Sequence, residues 1–501
     1  MAKKAEIARN AMAPRRVRVF VVLALMVPGI LAATTAARGE TSVLTLRDFI
    51  ANATAYNPEI FGELKKLKES RAQEAQARAV YDIVFNIHYS RLYDKPYTQY
   101  STVKIHEQTT DTIGGGIQWI VPYSGARLRT GVEYSKNRFS MESYPPSSPF
   151  APLGGNVTVY TPEAYIELHQ PLLRNWLGVI DRSPVQQAEL NNLITRETVN
   201  ESIETISADL YTMYFEWYLA YRQSRIMSAS VTNSESLLAT VTAKHAAGLS
   251  EKSDISKARI MNVEYRKSRE LYDARYRNAT GRIRAWNGGT NAPAERADII
   301  PQDELPVPFE IPPDFSILST RRMKLLHLTK KLLVAQLEKE KSQSLPDLTL
   351  NFQYRLRDYK ESRGVSATDY NYNNYTAGVS FSRPLGNCLA SGKIDELRAQ
   401  LEKWDTDVKD FERSYARNFE DVKTLVGTYE SLVAYNRELL VHAEAQVREE
   451  EKKYRAGRSD LYFVIQYRNA RLNYELISAA DYVDYQKLKV RLLDIMDEII
   501  R

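Results

Sequence analysis

Two stretches of the chain alternate strictly between apolar and polar residues, which is the pattern of a half-buried β-strand. In DLTLNFQYRLRDY the apolar positions are Leu348, Leu350, Phe352, Tyr354 and Leu356, and the polar positions are Asp347, Thr349, Asn351, Gln353 and Arg355. In YDIVFNIHYSRLY the apolar positions are Ile83, Phe85, Ile87 and Tyr89, opposite Asp82, Asn86, His88 and Ser90. A second strand segment follows each stretch, TAGVSFSRPLG and AYIELHQPLLRN. The alternation predicts strands with one apolar and one polar face.

After Lys393 the apolar residues change to the alternating three-four spacing of a helical heptad seam. The positions are Ile394, Leu397, Leu401, Trp404, Val408, Phe411, Tyr415, Phe419, Val422, Val426, Tyr429, Val433 and Leu440. A helix of roughly 65 residues would extend about 100 Å at 1.5 Å per residue. Such a helix is too long for one compact domain, so the pattern predicts an extended helical structure.

Two similar segments interrupt these helical patterns, AAGLSEKSDISKA and RAGRSDLYFVIQ. Gly248 and Gly457 follow the last seam residues, where a left-handed glycine would end a helix. A Ser-Asp pair after each glycine would cap the next helix; the pairs are Ser253 with Asp254, and Ser459 with Asp460. The chain is therefore predicted to form two antiparallel helical hairpins, with tips near 248–254 and 457–460.

The same order of signals occurs twice, which predicts two structural repeats. The first, 41–287, and the second, 316–501, each contain a helix, strands and a long helical hairpin. They are separated by a proline-rich linker, 288–315, in which neither helix nor sheet is expected. An additional hairpin around 112–138 in the first repeat has no counterpart in the second. The sequence leaves open whether it adds membrane strands.

Segment 1–38 has the order of a secretory signal peptide, with basic MAKKAEIARNAMAPRRVRV before apolar FVVLALMVPGILAA and small residues. We expect cleavage between Thr34 and Glu40. The apolar run is short for a membrane helix, although an uncleaved anchor helix remains the alternative. No cysteine lies near this site, which argues against a lipid-modified N-terminus.

Charge and composition exclude several classes of protein. The net charge of +6 is spread along the chain without a basic block, so we expect no nucleic-acid partner. The 32 tyrosines suit half-buried strands and membrane interfaces. The single cysteine, Cys388, excludes a disulfide within one chain.

No motif predicts catalysis, a cofactor or a metal site. The stretch GNCLASGK, from Gly386 to Lys393, approaches a phosphate-binding loop, but Ile394 stands where that loop needs serine or threonine. The six histidines form no HExxH motif, and one cysteine provides no thiolate cluster. We therefore expect that the protein is not an enzyme.

The predicted strands favour a membrane location, although alternation alone also allows a soluble sandwich. Their apolar faces are large and aromatic, and their polar faces suit a water-filled lumen. The strands are too few to close a barrel within one chain, and open edges would leave backbone groups unpaired in lipid. Several chains would therefore share one barrel. The alternative is a secreted or envelope coiled-coil scaffold without a channel.

In these features the chain resembles the TolC-like outer membrane efflux proteins. The resemblance rests on the duplication, on NPEI, QPLLRN and SFSRPLG, and on the two tip segments. It implies an α+β membrane protein, in which a homotrimer forms a 12-stranded outer-membrane β-barrel, four strands per chain, continuous with a long periplasmic α-helical barrel. It also implies an exit duct in the Gram-negative outer membrane for an efflux pump or type I secretion system, working with a periplasmic adaptor protein and an inner-membrane transporter.

The resemblance also assigns roles to tip residues. The adaptor-contacting positions would be Gly248, Leu249, Ser250, Gly457, Arg458 and Ser459. An acidic pair that constricts the tunnel entrance in better-known members falls on Phe463 and Gln466 here, so an aspartate gate is not expected in the same form. The candidate entrance constriction comprises Asp254, Asp460, Tyr462, Phe463 and Gln466, with the two aromatic residues as an apolar alternative.

Overall fold

The structure is a computed structural model that describes residues 42–96, 104–149, 151, 154–287, 299–305, 315–363 and 366–499. The predicted signal peptide and its cleavage site lie outside these residues. No helix among the described residues is long and apolar enough to cross a membrane.

Eight strands and seven α-helices organise the described residues. The strands are β1 Ser42–Leu44, β2 Val84–Asp94, β3 Ile105–Ile120, β4 Arg127–Met141, β5 Asn156–Pro171, β6 Ile299–Pro301, β7 Asp347–Arg363 and β8 Ser366–Ser382. The α-helices are α1 Leu46–Tyr56, α2 Pro58–Arg78, α3 Val179–Ala246, α4 Lys252–Trp286, α5 Arg321–Ser344, α6 Cys388–Arg455 and α7 Leu461–Ile495. Three short 3₁₀ helices cover Ala79–Tyr81, Trp176–Gly178 and Ile317–Ser319.

Six strands form one antiparallel sheet in the order β2-β3-β4-β5-β7-β8. The hairpin predicted at 112–138 is part of this sheet and is longer than predicted. Both β3 and β4 have hydrogen-bonded neighbours on each side, with one irregularity between Ile105 and Glu107. The sheet therefore has two strands more than the four per chain that the resemblance implies for the barrel, because the hairpin inserts between β2 and β5. Among the described residues, β2 and β8 form the two edges of the sheet.

The predicted linker, 288–315, contains a short strand. Residues 299–301 form β6, which pairs in parallel with β1 at the start of the described chain. The expectation that no sheet would form in this segment is wrong. Pro301 is tolerated because it ends the strand, where its missing N–H costs little. Residues 288–298 and 306–314 of the linker lie outside the described part.

The helices form the predicted hairpins, α3 with α4 and α6 with α7. Both α3 and α6 have 68 residues, which corresponds to about 100 Å at 1.5 Å per residue. Helices α2, α5 and α7 also pack against α3. The heptad seam explains the burial of Trp404, Val422 and Val426 in α6.

Each long helix begins shortly after an asparagine in the left-handed conformation, Asn175 (φ 62°) and Asn387 (φ 41°). Asparagine tolerates this conformation better than most residues. The Asn175 amide donates to the Asp181 carboxylate (2.5 Å) and its oxygen accepts from the Ile180 N–H (2.8 Å). The Asn387 amide donates to the Ser344 carbonyl (3.0 Å). These contacts fix the direction in which α3 and α6 leave the sheet.

An aromatic core attaches the first helix and strand to α3. Trp217 and Tyr214 are fully buried and pack edge-on, with ring centroids 5.4 Å apart. The Trp217 N–H donates to the Thr280 hydroxyl of α4 (2.9 Å), and the Tyr214 hydroxyl donates to the Leu44 carbonyl of β1 (2.6 Å). Burial raises the pKa of Tyr214 well above its ordinary value. The polar groups of these two buried rings therefore both have partners.

A buried ion-pair cluster joins the C-terminal segment to α3 and α5. The Arg321 guanidinium contacts the Glu204 carboxylate, which is only 1% exposed. The backbone N–H of Arg321 donates to the Asp497 carboxylate (2.5 Å), and the backbone N–H of Ile499 donates to the Glu204 carboxylate (3.0 Å). Three elements distant in sequence therefore meet at this cluster.

The neighbouring Asp494 is expected to make stability depend on pH. Its burial, together with the nearby Glu201 carboxylate, raises the Asp494 pKa above the ordinary 3.8. A raised folded-state pKa gives a contribution to stability that is complete below pH 3.8 and is lost as the pH rises through the folded-state value. Asp494→Asn should therefore raise the thermal unfolding midpoint at neutral pH.

The benefit of Asp494→Asn should disappear when unfolding is measured below pH 3.8, where the aspartate is protonated in both states. Asp407→Asn, on the exposed face of α6, is the matched control and should leave the midpoint unchanged at both pH values. An equal gain for Asp494→Asn at both pH values would contradict the electrostatic explanation.

Candidate functional site

One face of the six-stranded sheet is polar across its whole width. The residues of this polar face include Asn86, His88, Thr112, Gln118, Arg129, Glu133, Glu163, Glu167, His169, Asn351, Gln353, Arg355, Arg357, Asn374 and Thr376. The antiparallel register places these side chains in rows across adjacent strands. A surface of this composition suits contact with water.

A ladder of charges on the polar face joins β5 to β7. Arg355 donates to Glu163 (2.5 Å) and to Glu167 (3.2 Å), and Arg357 also bonds Glu163. Arg129 of β4 extends the ladder, with its guanidinium 3.7 Å from Glu167. These ion pairs join β5 of the first half of the chain to β7 of the second half, in addition to the backbone hydrogen bonds between the two strands.

Tyr165 lies flat against two glycines in the centre of the polar face. An added Cβ at Gly131 would lie 2.8 Å from the Tyr165 hydroxyl, and one at Gly116 would lie 3.1 Å from it. The Arg129 and Arg355 guanidinium groups lie 5.5 Å and 5.7 Å from the ring centroid. The glycines therefore make room for a buried aromatic side chain between two cations.

Gly131→Ala should impair assembly of the sheet. The added Cβ would also lie 2.5 Å from the Gly115 carbonyl oxygen, and neither backbone can yield without breaking the ladder. Overpacking of this kind costs about 1–3 kcal/mol. We expect a lower melting temperature of the assembled protein in detergent. Gly378→Ala is the matched control, since a Cβ at that strand position meets nothing within 4 Å; equal melting of the two variants would contradict the prediction.

The opposite face of the sheet is apolar and exposed. Its large exposed side chains are Phe85, Ile87, Tyr89, Ile113, Ile117, Val132, Tyr134, Ile166, Leu350, Phe352, Leu356, Tyr375, Val379 and Phe381. Val132, for example, is 64% exposed. On this same face, at the end of the sheet farther from the helices, the side chains are charged. There the Arg91 guanidinium donates to the Asp111 carboxylate (2.6 Å). These residues form one continuous apolar surface, unlike the single exposed apolar residues of ordinary protein surfaces. A surface of this kind indicates contact with lipid or with another protein.

The two hairpin tips share the same backbone geometry. Gly248 (φ 74°) and Gly457 (φ 71°) are both left-handed, as predicted. At the first tip the Leu249 N–H donates to the Lys244 carbonyl (2.8 Å), and at the second the Arg458 N–H donates to the Lys453 carbonyl (2.8 Å). This is the Schellman arrangement for ending a helix.

The predicted caps are correct at one tip only. Asp460 caps α7, its carboxylate accepting from the Tyr462 N–H (2.6 Å). The prediction for the first tip is wrong, because Glu251 occupies the cap position of α4 without a side-chain bond. Ser253 and Asp254 lie in the first turn instead, where the negative charge of Asp254 still favours the helix N-terminus.

Contacts between the hairpins bring the two tips together. The Lys244 ammonium donates to the Tyr454 carbonyl (2.5 Å) and lies 4.0 Å from the centroid of its ring. Burial raises the Tyr454 pKa, with smaller contributions from Asp254 and Asp460. Farther from the tips, the Tyr265 hydroxyl donates to the Asn469 side chain (2.6 Å).

The candidate constriction residues have two kinds of environment. Asp254 is ion-paired with Lys257 (3.1 Å), and Asp460 is the helix cap described above. Tyr462, Phe463 and Gln466 are exposed on α7, and the two aromatic rings pack edge-on with centroids 5.6 Å apart. The aromatic pair therefore presents an uncovered apolar surface beside the second tip, and its role in a constriction remains a prediction.

The charge ladder was not predicted. Arg355 was assigned to a polar face, but Glu163 and Glu167 were not singled out, although they alternate with apolar residues within EAYIELHQ. Alternation was the signal that could have identified them. Among the described residues, no group of three or more histidine, cysteine, aspartate and glutamate side chains could hold a metal ion.

The fold is similar to that of solved outer membrane proteins. A CusC structure, described in terms of transmembrane channel formation, has a TM-score of 0.64 at 12% identity and covers 94% of this chain and 96% of that chain. A membrane protein from Pseudomonas aeruginosa has a TM-score of 0.63 at 13% identity, covering 94% and 98%. The outer membrane protein VceC from Vibrio cholerae has a TM-score of 0.62 at 14% identity, covering 90% and 96%. No protein-family model and no curated protein sequence matches the chain.

Proposed function

We propose that this chain, which has the fold of the TolC-like outer membrane channels, is the outer-membrane exit duct of a tripartite efflux pump or type I secretion system. In this function it passively conducts solutes from a periplasmic adaptor and an inner-membrane transporter to the exterior. Conduction through an open duct requires no chemistry in the wall, so the chain would not be an enzyme and would need no cofactor.

The opposed faces of the six-stranded sheet are the observation that carries the proposal. An exposed apolar face opposite a continuous polar face is the arrangement of a sheet between lipid and a water-filled lumen. A soluble protein with this apolar face would expose Phe85, Ile87, Tyr375 and Phe381 to water. The outer-membrane location and the lipid partner follow from this arrangement.

The sheet edges favour a closed ring of identical chains, for which we propose three copies. An unpaired edge in lipid leaves N–H and C=O groups without partners at several kcal/mol each. Pairing β8 of one copy with β2 of the next would satisfy both edges. The long helical hairpins would then continue from the barrel into the periplasm as a second, helical barrel, built from the two predicted repeats.

The tips are the proposed contact with the adaptor. Both left-handed glycines, with Leu249, Ser250, Arg458 and Ser459, lie at the turns farthest along the hairpins from the sheet. Their shared backbone geometry provides two similar docking points per copy. The aromatic pair of Tyr462 and Phe463, beside the second tip, is the proposed narrowest point of the entrance.

The alternative of a secreted or envelope coiled-coil scaffold accounts for the helical hairpins but not for the sheet. It predicts a soluble protein, in which the unpaired strands and the apolar face would promote aggregation. The similarity to solved outer membrane proteins covers 90–94% of the chain, which also favours the channel.

The deciding experiment measures the native mass and the location of the protein. We expect detergent extraction from the outer-membrane fraction to yield a species of three copies. Purified protein reconstituted into planar bilayers should conduct ions. A water-soluble protein, or an extracted protein without conductance, would contradict the proposed duct and favour the scaffold.

A further inference from the structure

We propose that all six long strands of each copy cross the membrane, so that three copies close one barrel of eighteen strands instead of the twelve that the resemblance implied. The proposal rests on the proposed trimer and concerns β3 and β4. These strands would either span the membrane with the other four or form a hairpin outside the membrane. Three observations favour the first arrangement.

First, β3 and β4 have the same two faces as the other strands. Ile113, Ile117, Val132 and Tyr134 are exposed on the apolar face, in register with the apolar residues of β2 and β5. Glu133 lies on the polar face, within 3.9 Å of His88 of β2. A hairpin outside the membrane would have no reason to continue the apolar band.

Second, the connections among β2, β3, β4 and β5 follow the rule for outer-membrane barrels, in which turns on the periplasmic side are short and external loops are longer. Residues 121–126 connect β3 to β4 at the end of the sheet nearest the helices. There, an added Cβ at Gly125 would lie 2.8 Å from the Asn175 carbonyl oxygen, at the junction between strand and helix. The connections from β2 to β3 and from β4 to β5, ten and fourteen residues long in the sequence, join strand ends at the opposite end of the sheet, whereas β7 and β8 are joined there by only two residues.

Third, strand directions and number permit closure only between copies. The six strands alternate in direction, so β8 and β2 are antiparallel and would pair as the other neighbours do. Six strands are fewer than the eight of the smallest bacterial barrels. A single copy therefore cannot close its own barrel, whereas three copies give an even-numbered antiparallel barrel of eighteen strands.

The perimeter of an eighteen-stranded barrel also matches that of the helices. With strands about 4.8 Å apart and tilted about 40°, eighteen strands have a perimeter of about 110 Å and twelve have about 75 Å. At the sheet end, α2 lies beside the start of α3 and α5 beside the start of α6. These four helices from three copies, at about 9–10 Å between axes, have a perimeter of about 110–120 Å. The wider sheet would continue the helical barrel without a step in diameter.

The test uses single cysteines in a Cys388→Ser background, labelled in intact outer membranes with a charged, water-soluble thiol reagent. Val132→Cys lies on the apolar face of β4, and Glu133→Cys is its matched control on the polar face. Phe352→Cys, on the apolar face of β7 and 40% exposed, reports membrane insertion independently of β3 and β4. Each variant is first confirmed to assemble at the native mass of the parent.

We expect Val132→Cys and Phe352→Cys to react at least about tenfold more slowly than Glu133→Cys, because lipid excludes a charged reagent. Rapid labelling of Val132→Cys with slow labelling of Phe352→Cys would place the hairpin outside the membrane and overturn the eighteen-stranded barrel. Rapid labelling of Phe352→Cys as well would contradict the proposed duct itself. A native mass of two copies would give twelve strands and would also overturn the proposal.

Discussion

Export is expected to stop when tryptophan replaces both Gly248 and Gly457, while the assembled protein is recovered from the outer membrane in normal amounts. Both glycines have a left-handed backbone, and a Cβ at either position would meet nothing within 4 Å. A bulky side chain would therefore project from the tip into the space where a partner would dock. The left-handed conformation costs a residue other than glycine roughly 1–2 kcal/mol. This cost is small compared with the packing of the long helices in each hairpin, so the hairpins should still form.

The matched control places asparagine at both positions. Asparagine tolerates the left-handed conformation and has a small side chain, so Gly248→Asn with Gly457→Asn should preserve export. Export is measured as the accumulation of toxic solutes in host cells whose only copy of the chain is the variant. Normal export with both tryptophans would disprove docking at the tips. Loss of export in the asparagine variant as well would attribute the defect to the hairpin geometry.

Arg321→Met is expected to cause the largest loss of stability of any single substitution discussed here. Arg321 is 12% exposed and Glu204 is 1% exposed, so the substitution leaves a carboxylate buried without its cation. Breaking a buried ion pair in this way costs about 3–5 kcal/mol. The only other hydrogen bond to Glu204 in the described structure comes from the Ile499 N–H, which cannot neutralise its charge.

The adjacent residue provides the control. Arg322 bonds Glu201 (2.9 Å), but its side chain is 65% exposed, so Arg322→Met should cost at most about 1 kcal/mol. Combining Arg321→Met with Glu204→Met should restore most of the lost stability, because an apolar pair leaves no buried charge. Stability is measured as the unfolding midpoint in detergent. Equal effects of Arg321→Met and Arg322→Met, or no recovery in the double variant, would contradict this account.

Features that depend on local periodicity were predictable from the sequence. The faces of β2 and β7, the long seam of α6 and the left-handed glycines were each identified from neighbouring residues. The hairpin formed by β3 and β4 was harder to place, because Gly114, Gly115 and Gly116 interrupt its apolar alternation. Its pairing with β2 and β5 gives the sheet six strands.

Features that depend on partners distant in sequence were not predictable. Arg355 and Glu163 are separated by 192 positions, and periodicity assigns each to a face without indicating that they pair. The same holds for Arg321 and Glu204. The wrong cap at the first tip has a local cause: Glu251 already has the extended backbone of a cap residue (φ −82°, ψ 158°), so α4 begins before Ser253.

The pairing of β5 with β7 has a consequence for the order in which the molecule folds. Strands β2 to β5 each pair with a neighbour in the chain, as do β7 and β8, but α3, α4 and α5 lie between the two groups. Contacts across such a distance form slowly, because a long loop must first close. The sheet would therefore form as two separate pieces that join late. Until they join, β5 and β7 are unpaired edges open to aggregation, and a newly secreted chain would need protection during that interval.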